Sequence, residues 1–497
     1  MKKISRREVL KYAAFAGCSM LLPVALQHRG YAQRTDERVE PFTLVFRPPP
    51  VLNPVRSDTT TDYYEIRMQR ATVEILPGRQ TQIWGYNGIF PGPTIKQRRD
   101  RQSVVRFIND VGIPTSVHLH GMASQPQYDG YAEDLIASGY YKDYTYPNSN
   151  ASTLWYHDHA IGQTSRNVYM GLVGMYLVQD DNELNLPLPK NAYDNPLIIH
   201  DKIFAADGSL VFDDQGQHGL MGDVITVNGV PWPRMEVANR KYRFRVLNAS
   251  ISRSYKLALS TGDDLIVIGT DAGLMSAPVN TKDMRIGMAE RYDLIIDFSR
   301  YPIGTQVVLQ NLGLPNNDNT GNTDKIMRFD VVRSQSDDSS IPSTLRNIQF
   351  IPESSAVRTR DFTYDHINSL WVINGQGWDK SRVDANPQLE EVEIWNLHNN
   401  SGLWFHTIHL HLIDAQLLDR NGQPPFPYER GLKDVFYLGE NETVRIIGKF
   451  IPHIGKYMSH CHNMVHEDHD MMNQFEIGQG GIDPMSVPAK PLPAPAL

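Results

Sequence analysis

Ile373-Asn374-Gly375, followed by Val392-Glu393-Ile394-Trp395-Asn396-Leu397, is the last of three echoes in this chain. The same order of turn signal and alternating strand occurs at Val227-Asn228-Gly229 with Tyr242-Arg243-Phe244-Arg245-Val246-Leu247-Asn248. It occurs first at Pro91-Gly92-Pro93-Thr94 with Val104-Val105-Arg106-Phe107-Ile108-Asn109. Period-two alternation gives each strand one face to bury, and Gly, Pro and Asn supply the turns between strands. The echoes are spaced by roughly 140–150 residues, about one β-sandwich of ordinary domain size each. An all-β chain of three consecutive sandwiches is therefore predicted, over 41–184, 191–333 and 343–480.

Working outward, Gln102–Asn109, Arg240–Asn248, Asp293–Phe298 and Glu391–Asn399 read as strands, with no long helical periodicity to compete. Composition shifts mark linkers at Asn185–Asp194 and at the polar break Arg333–Pro342. From Gly478 onward the chain turns Gly-rich and then Pro-rich, and residues 481–497 read as a loose Pro-rich tail.

The 497 residues exceed one ordinary core, and 21% charged with 41% hydrophobic residues is a globular balance. The first 32 residues read as a twin-arginine export signal. Paired Arg6-Arg7 precede an apolar run from Tyr12 to Leu26, and Gly30-Tyr31-Ala32 offers small residues for cleavage after Ala32. An ordinary secretory signal is the competing reading. A lipoprotein reading at Cys18 fits less well, because the apolar run continues past it. The run is too short and interrupted for a membrane span, so the mature form is expected to be free of the membrane, in the periplasm or outside the cell. Without residues 1–32 the chain holds 42 Lys and Arg against 55 Asp and Glu. That acidity, with no basic face bearing interleaved aromatics, argues against nucleic acid as a partner.

Of two cysteines, Cys18 leaves with the signal and Cys461 remains alone. A solitary thiol in an oxidising compartment needs protection or a task, and metal ligation supplies both. Ten of the 17 histidines sit in four clusters: His118-Leu119-His120, His157-Asp158-His159, His406-Thr407-Ile408-His409-Leu410-His411, and His460-Cys461-His462 with His466 and Met471 following. On a strand, each His-x-His pair turns two imidazoles to one side. Cys461 points opposite to His460 and His462, so one strand can serve two metals on its two faces. Cys461, His466 and Met471, with His406 from the preceding cluster, offer the two histidines, thiolate and weak axial Met of a blue copper site. Structural zinc uses four ligands, not this many. His28, His200, His218, His366, His398, His453 and His469 lack partners at ligand spacing.

These motifs resemble the multicopper oxidases, and most closely the three-domain bacterial laccases and bilirubin oxidases, over roughly Phe42 to Ile477. The resemblance implies three cupredoxin-like Greek-key sandwiches and four copper ions. Type 1 copper would take His406, Cys461, His466 and axial Met471. Type 2 would take His118 and His409. The type 3 pair would take His120, His157, His159, His411, His460 and His462. Implied too is the reaction: a reductant gives up electrons singly at type 1, they cross Cys461 to His460 and His462, and four of them reduce dioxygen to water. Asp129 and Glu467 look like the acidic residues that such enzymes use to deliver protons.

Two departures stand out. The third cluster usually reads His-Pro-x-His, and Thr407 replaces that Pro, which is expected to alter rigidity rather than metal binding. Trp404 resembles the Trp beside the type 1 histidine of bilirubin oxidases, as well as an ordinary core aromatic. No Met lies between Met327 and Met458, so the Met-rich insert of copper-efflux oxidases is absent. That favours an organic donor (a phenol, a bilirubin-like pigment or an aromatic amine) over a Cu(I), Fe(II) or Mn(II) oxidase of metal tolerance. A copper-free structural member of the family conflicts with the intact ligand set. Three sandwiches with shared interfaces need no second subunit, and a monomer is expected.

Overall fold

The computed structural model describes residues 39–317 and 319–497. The segment read as an export signal, with Cys18 and His28, lies outside the described residues.

Six β-sheets form three sandwiches in chain order. In each, the strand of the sequence echo is central, with one parallel and one antiparallel neighbour. Gln102–Asp110 lies between Thr61–Val73 and Tyr140–Tyr146. Lys241–Asn248 lies between Asp194–Lys202 and Arg291–Asp297. Val392–Asn399 lies between Arg358–Ile367 and Thr443–Lys449. The echo is thus a repeated topology, and its strands run within a residue or two of their predicted ends.

The Asn-Gly turns have a conformational reason. Asn228 and Gly229 take φ of 52° and 79°, and Asn374 and Gly375 take 52° and 73°. Two successive positive φ values are what a two-residue hairpin needs to match strand twist, and Asn-Gly tolerates them best. The first sandwich has the same pair at Asn87 and Gly88, with φ of 55° and 68°. Its turn therefore lies just ahead of the Pro91-Gly92 signal singled out in the sequence.

Each sandwich buries its own core: Tyr86, Phe107 and Tyr156 in the first, Trp232, Phe244 and Phe329 in the second, Trp395, Phe450 and Phe475 in the third. A further cluster joins all three, with Trp155 and Val173 from the first, Ile198 and Leu247 from the second, and Val435 and Met464 from the third. This shared core holds the first and third sandwiches against each other, and the site forms there.

The tail corrects the sequence reading. Lys490 and Pro491 pair with Tyr141 and Tyr140, and Leu492 N–H donates to Gly139 O at 3.0 Å. The Arg106 guanidinium donates to Pro495 O. The tail is docked because the edge strand of the first sandwich offers unpaired backbone groups, and Pro is tolerated at such an edge. Among the described residues no helix is long and apolar enough to cross a membrane.

Candidate metal centre

Two strand pairs carry most of the histidines. Val117–His120 pairs with Thr153–Asp158 so that His118 lies opposite His157. His406–Leu410 pairs with Gly455–Cys461 so that His409 lies opposite His460. The first pair belongs to the first sandwich and the second to the third. Across their junction eight imidazoles meet, and all are buried: His118, His120, His157, His159, His409, His411, His460 and His462.

Their hydrogen bonds fix which nitrogen is free. His118 Nδ1–H donates to Asp129 O, and His409 Nδ1–H to Asp434 O at 2.9 Å. Each Nε2 is then a lone pair, yet the two Nε2 atoms face each other at 3.4 Å. His411 Nδ1 lies 2.7 Å from Asp129 Oδ2, and His460 Nδ1 lies 3.2 Å from Cys461 O. Their Nε2 atoms also face, at 3.2 Å, and His159 Nε2 meets that of His460 at 3.2 Å. His120 Nδ1, His157 Nε2 and both ring nitrogens of His462 are buried without a hydrogen-bond partner. Lone pairs converging on one buried cage repel one another unless a cation lies among them. Burial, and then repulsion between neighbouring imidazoles, depresses these groups: His157 to about 3, His159, with Glu467 opposing, to about 4, and His118, His120, His409, His411 and His462 well below the ordinary histidine range. These seven rings are therefore neutral at neutral pH.

Cys461 sits apart from the cage. Its Sγ lies 3.4 Å from His406 Nδ1 and 3.8 Å from His466 Nδ1, and those two nitrogens are 3.3 Å apart. His406 Nε2–H donates to Ser401 Oγ at 2.7 Å and His466 Nε2–H to His218 O at 3.1 Å, so both rings turn Nδ1 toward the sulfur. Met471 is buried in the same core cluster as Cys461. The short helix Met464–Asp468 carries His466, and Asn463 caps it by accepting from Val465 N–H. Burial pushes the Cys461 thiol up to about 12, against N–H donors from Asn463 and Thr407. A thiolate here thus requires a cation to hold it.

Asp129 and Glu467 lie beside the cage. Besides its bond to His411, Asp129 accepts from His118 through its backbone oxygen. Glu467 Oε2 lies 3.1 Å from His460 Nδ1, and Oε1 lies 3.6 Å from His159 Nδ1. Burial alone raises the Asp129 carboxyl well above the carboxylate range. Burial acts the same way on Glu467, but His460 and His159 outweigh it and hold that group at about 2.

Several residues at the site were not legible in the sequence. Asp434 accepts from His120 Nε2 at 2.9 Å and, through its carbonyl, from His409. Arg291 of the middle sandwich grips both Asp434 carboxylate oxygens at 2.6 Å. Lys433 binds Asp271 at 2.8 Å and Glu290 at 3.0 Å beside it. The signal in the chain was a charged pair, Lys433-Asp434, set between apolar neighbours in Leu432-Lys433-Asp434-Val435-Phe436. Around His466, Trp371 stacks at 3.6 Å between ring centroids and Trp404 meets it edge-on at 5.7 Å. His366 stacks on Trp371 and His218 on Trp404. Those two histidines thus lie in the outer wall of the site. His398 and His469 instead bind Asp361 and Asp214.

Comparison with known proteins agrees with this geometry. Family models described as multicopper oxidase match residues 67–183, 206–330 and 350–481. A bilirubin oxidase of Albifimbria verrucaria is 41% identical over 448 residues, 86% of this chain and 78% of that protein. A laccase of Bacillus subtilis is 35% identical, covering 88% of this chain and 99% of its own length. The crystal structure of a multicopper oxidase from Aquifex aeolicus superposes with a TM-score of 0.81 at 30% identity, over 88% of this chain and 99% of that one. With three matched domains, the cage between the first and third, and relatives alike over most of their length, this chain belongs to the multicopper oxidase family.

Proposed function

We propose that this enzyme couples four one-electron oxidations of a small reductant to the reduction of dioxygen to water. One observation carries the reading: eight imidazoles converge on a buried cage that is one residue removed, on either side, from a buried Cys461 flanked by two further histidines. The donor set fits copper, with soft thiolate and imidazole ligands on one side and imidazoles alone on the other. His406, Cys461 and His466, with Met471 buried in the same cluster, would hold the type 1 ion. His118 and His409 would hold type 2. His159, His411 and His460 would hold one type 3 ion, and His120, His157 and His462 the other. Four copper ions, when bound, supply one-electron exchange at the thiolate and multi-electron reduction of dioxygen at the cage.

The chain's own groups divide the remaining work. His460 and His462 are bonded in sequence to Cys461, so a covalent path joins the two sites. Asp129 favours its protonated form and Glu467 its ionised form, and environments that push two carboxyls apart mark an acid and a base. Asp129 then holds a proton beside His411 and His118, and Glu467 accepts and passes protons beside His460 and His159. Glu467→Gln and Asp129→Asn are expected to keep copper, colour and the rate of reduction by donor, but to slow reoxidation by dioxygen by about 10²-fold. Stopped-flow reoxidation of the reduced variants measures this, and wild-type rates would remove both carboxyls from the mechanism.

An organic donor is supported by the aromatic wall over His466, built by Trp371 and Trp404 with His366 and His218 stacked on them. Copper-loaded enzyme is expected to turn over a phenol or bilirubin faster than Cu(I) or Fe(II). The reverse order would favour the metal-ion reading. Met471→Leu should raise the type 1 potential and Met471→Gln lower it, each by a roughly tenfold change in the reduction equilibrium, about 59 mV, with the blue colour kept. Spectroelectrochemical titration reads both, and unchanged potentials would remove Met471 from the site. Export by the twin-arginine route belongs to the same proposal. Amino-terminal sequencing of the secreted protein, expected to begin at Gln33, tests it.

A further inference from the structure

We infer that Ser252, a residue of the middle sandwich outside the proposed ligand set, sets the potential of the type 1 site by holding Asn463 against Cys461. The inference rests on the copper reading of that site. Asn463 meets the sulfur directly, its backbone N–H donating to Cys461 Sγ at 3.3 Å. Its side chain is held from two sides. Oδ1 accepts from Val465 N–H at 3.3 Å, capping the helix that carries His466, and from Ser252 Oγ–H at 2.9 Å. The carboxamide nitrogen lies 3.0 Å from His466 Nε2, so Asn463 touches two of the proposed ligands. Ser252 is itself fixed. It is buried, and its Oγ accepts from Leu220 N–H at 3.0 Å, which leaves the single hydroxyl proton for Asn463.

Two further bonds from the middle sandwich run alongside. Met464 N–H donates to Ile251 O at 2.9 Å, and His466 Nε2–H to His218 O at 3.1 Å. These hold the helix and a ligand ring, whereas the Ser252 bond holds the residue whose N–H reaches the sulfur. The packing there is close: a Cβ on Gly219 would lie 2.9 Å from Ser252 Oγ and 3.3 Å from Asn463 Nδ2. A donor to the thiolate withdraws electron density from sulfur and stabilises the more electron-rich reduced form, so the Asn463 N–H raises the potential. Removing the Ser252 hydroxyl takes one of two donors from Oδ1, lets the carboxamide turn and loosens the bond to sulfur. Ser252 is thus a positioning residue acting through Asn463. Through it the middle sandwich, which supplies no ligand, adjusts the range of donors that can be oxidised.

Copper-loaded wild type, Ser252→Ala and Ser250→Ala are to be compared by spectroelectrochemical titration of the blue band. Ser252→Ala should shift the reduction equilibrium roughly threefold toward the oxidised form, about 28 mV at 59 mV per tenfold. Ser250→Ala is the control for a loosened loop, because Ser250 Oγ bonds Tyr255 Oη at 2.8 Å in the same segment. It should lower the unfolding temperature and leave the potential at the wild-type value. An unchanged potential in Ser252→Ala, or an equal shift in Ser250→Ala, would overturn the proposal. Should Ser252→Ala fail to fold, Ser252→Cys, similar in size but a weaker donor, takes its place. It should shift the equilibrium roughly twofold in the same direction, about 18 mV at 59 mV per tenfold, and an unchanged potential there would equally overturn the proposal. A wild type that stays colourless after copper loading overturns the copper reading and this inference with it. That outcome is distinct from a blue protein whose potential ignores position 252.

Discussion

Cys461→Ser protein is expected to emerge colourless, to bind about three coppers where wild type binds about four, and to lose on the order of 10³-fold or more in turnover with any donor. Serine keeps the size of the side chain but replaces a polarisable thiolate with a hard, weakly acidic oxygen. The visible band of a blue site comes from thiolate-to-copper charge transfer, so it must vanish with the sulfur. The same change removes the shortest covalent route between the donor side and the cage, because Cys461 is bonded to both His460 and His462. None of the eight cage histidines is altered, so copper should remain there. Metal analysis with absorbance and electron paramagnetic resonance spectra separates these outcomes. A blue wild type whose Cys461→Ser variant stayed blue would refute the thiolate assignment, and a colourless wild type after full copper loading would refute the type 1 site altogether.

The second large effect is expected at a residue that binds no copper in the proposed set. Asp434→Asn should destabilise the protein by about 3 kcal/mol, because it takes from the fully buried Arg291 guanidinium its nearer counter-charge and leaves only Asp271 at 3.7 Å. It should also weaken copper binding at the cage about 10–100-fold, since Asp434 orients His120 through its carboxylate. His409 is held by the Asp434 carbonyl and should be less affected. Thermal unfolding with and without copper measures the first effect, and copper competition with a chelator the second. The double variant Arg291→Met with Asp434→Leu removes both charges and should be less destabilised than Asp434→Asn alone. Additive losses in that cycle would show that the two side chains are not coupled as their 2.6 Å contacts imply.

Asp434 and Arg291 show where reading the chain by residues stops. The echoed strands were legible because a period-two apolar face and an Asn-Gly turn are local features, fixed by side-chain sterics within a few residues. The histidine clusters were legible for a similar reason: imidazoles two residues apart on a strand share a face whatever lies around them. That gave three sandwiches and ten histidines with one cysteine. The docked tail was missed, because the free edge it covers belongs to Tyr140–Tyr146, some 350 residues earlier in the chain. Trp371 was also missed as a neighbour of His466, since nothing within its own hairpin signals what will stack on it.

The sequence by itself determined the fold class, the family and the clustering of ten histidines around one cysteine, all of which depend on residue type and short spacing. Tertiary structure alone decided which ring nitrogens are free, which carboxyl sits beside which histidine, and that the middle sandwich holds the cage in place through Arg291 without contributing a histidine to it. The physical reason is common to these cases. Lone-pair direction, burial and counter-charge are set by groups that meet only when the first and third sandwiches close on their shared core, and that closure brings together atoms some 290 residues apart, as in the facing pair His118 and His409.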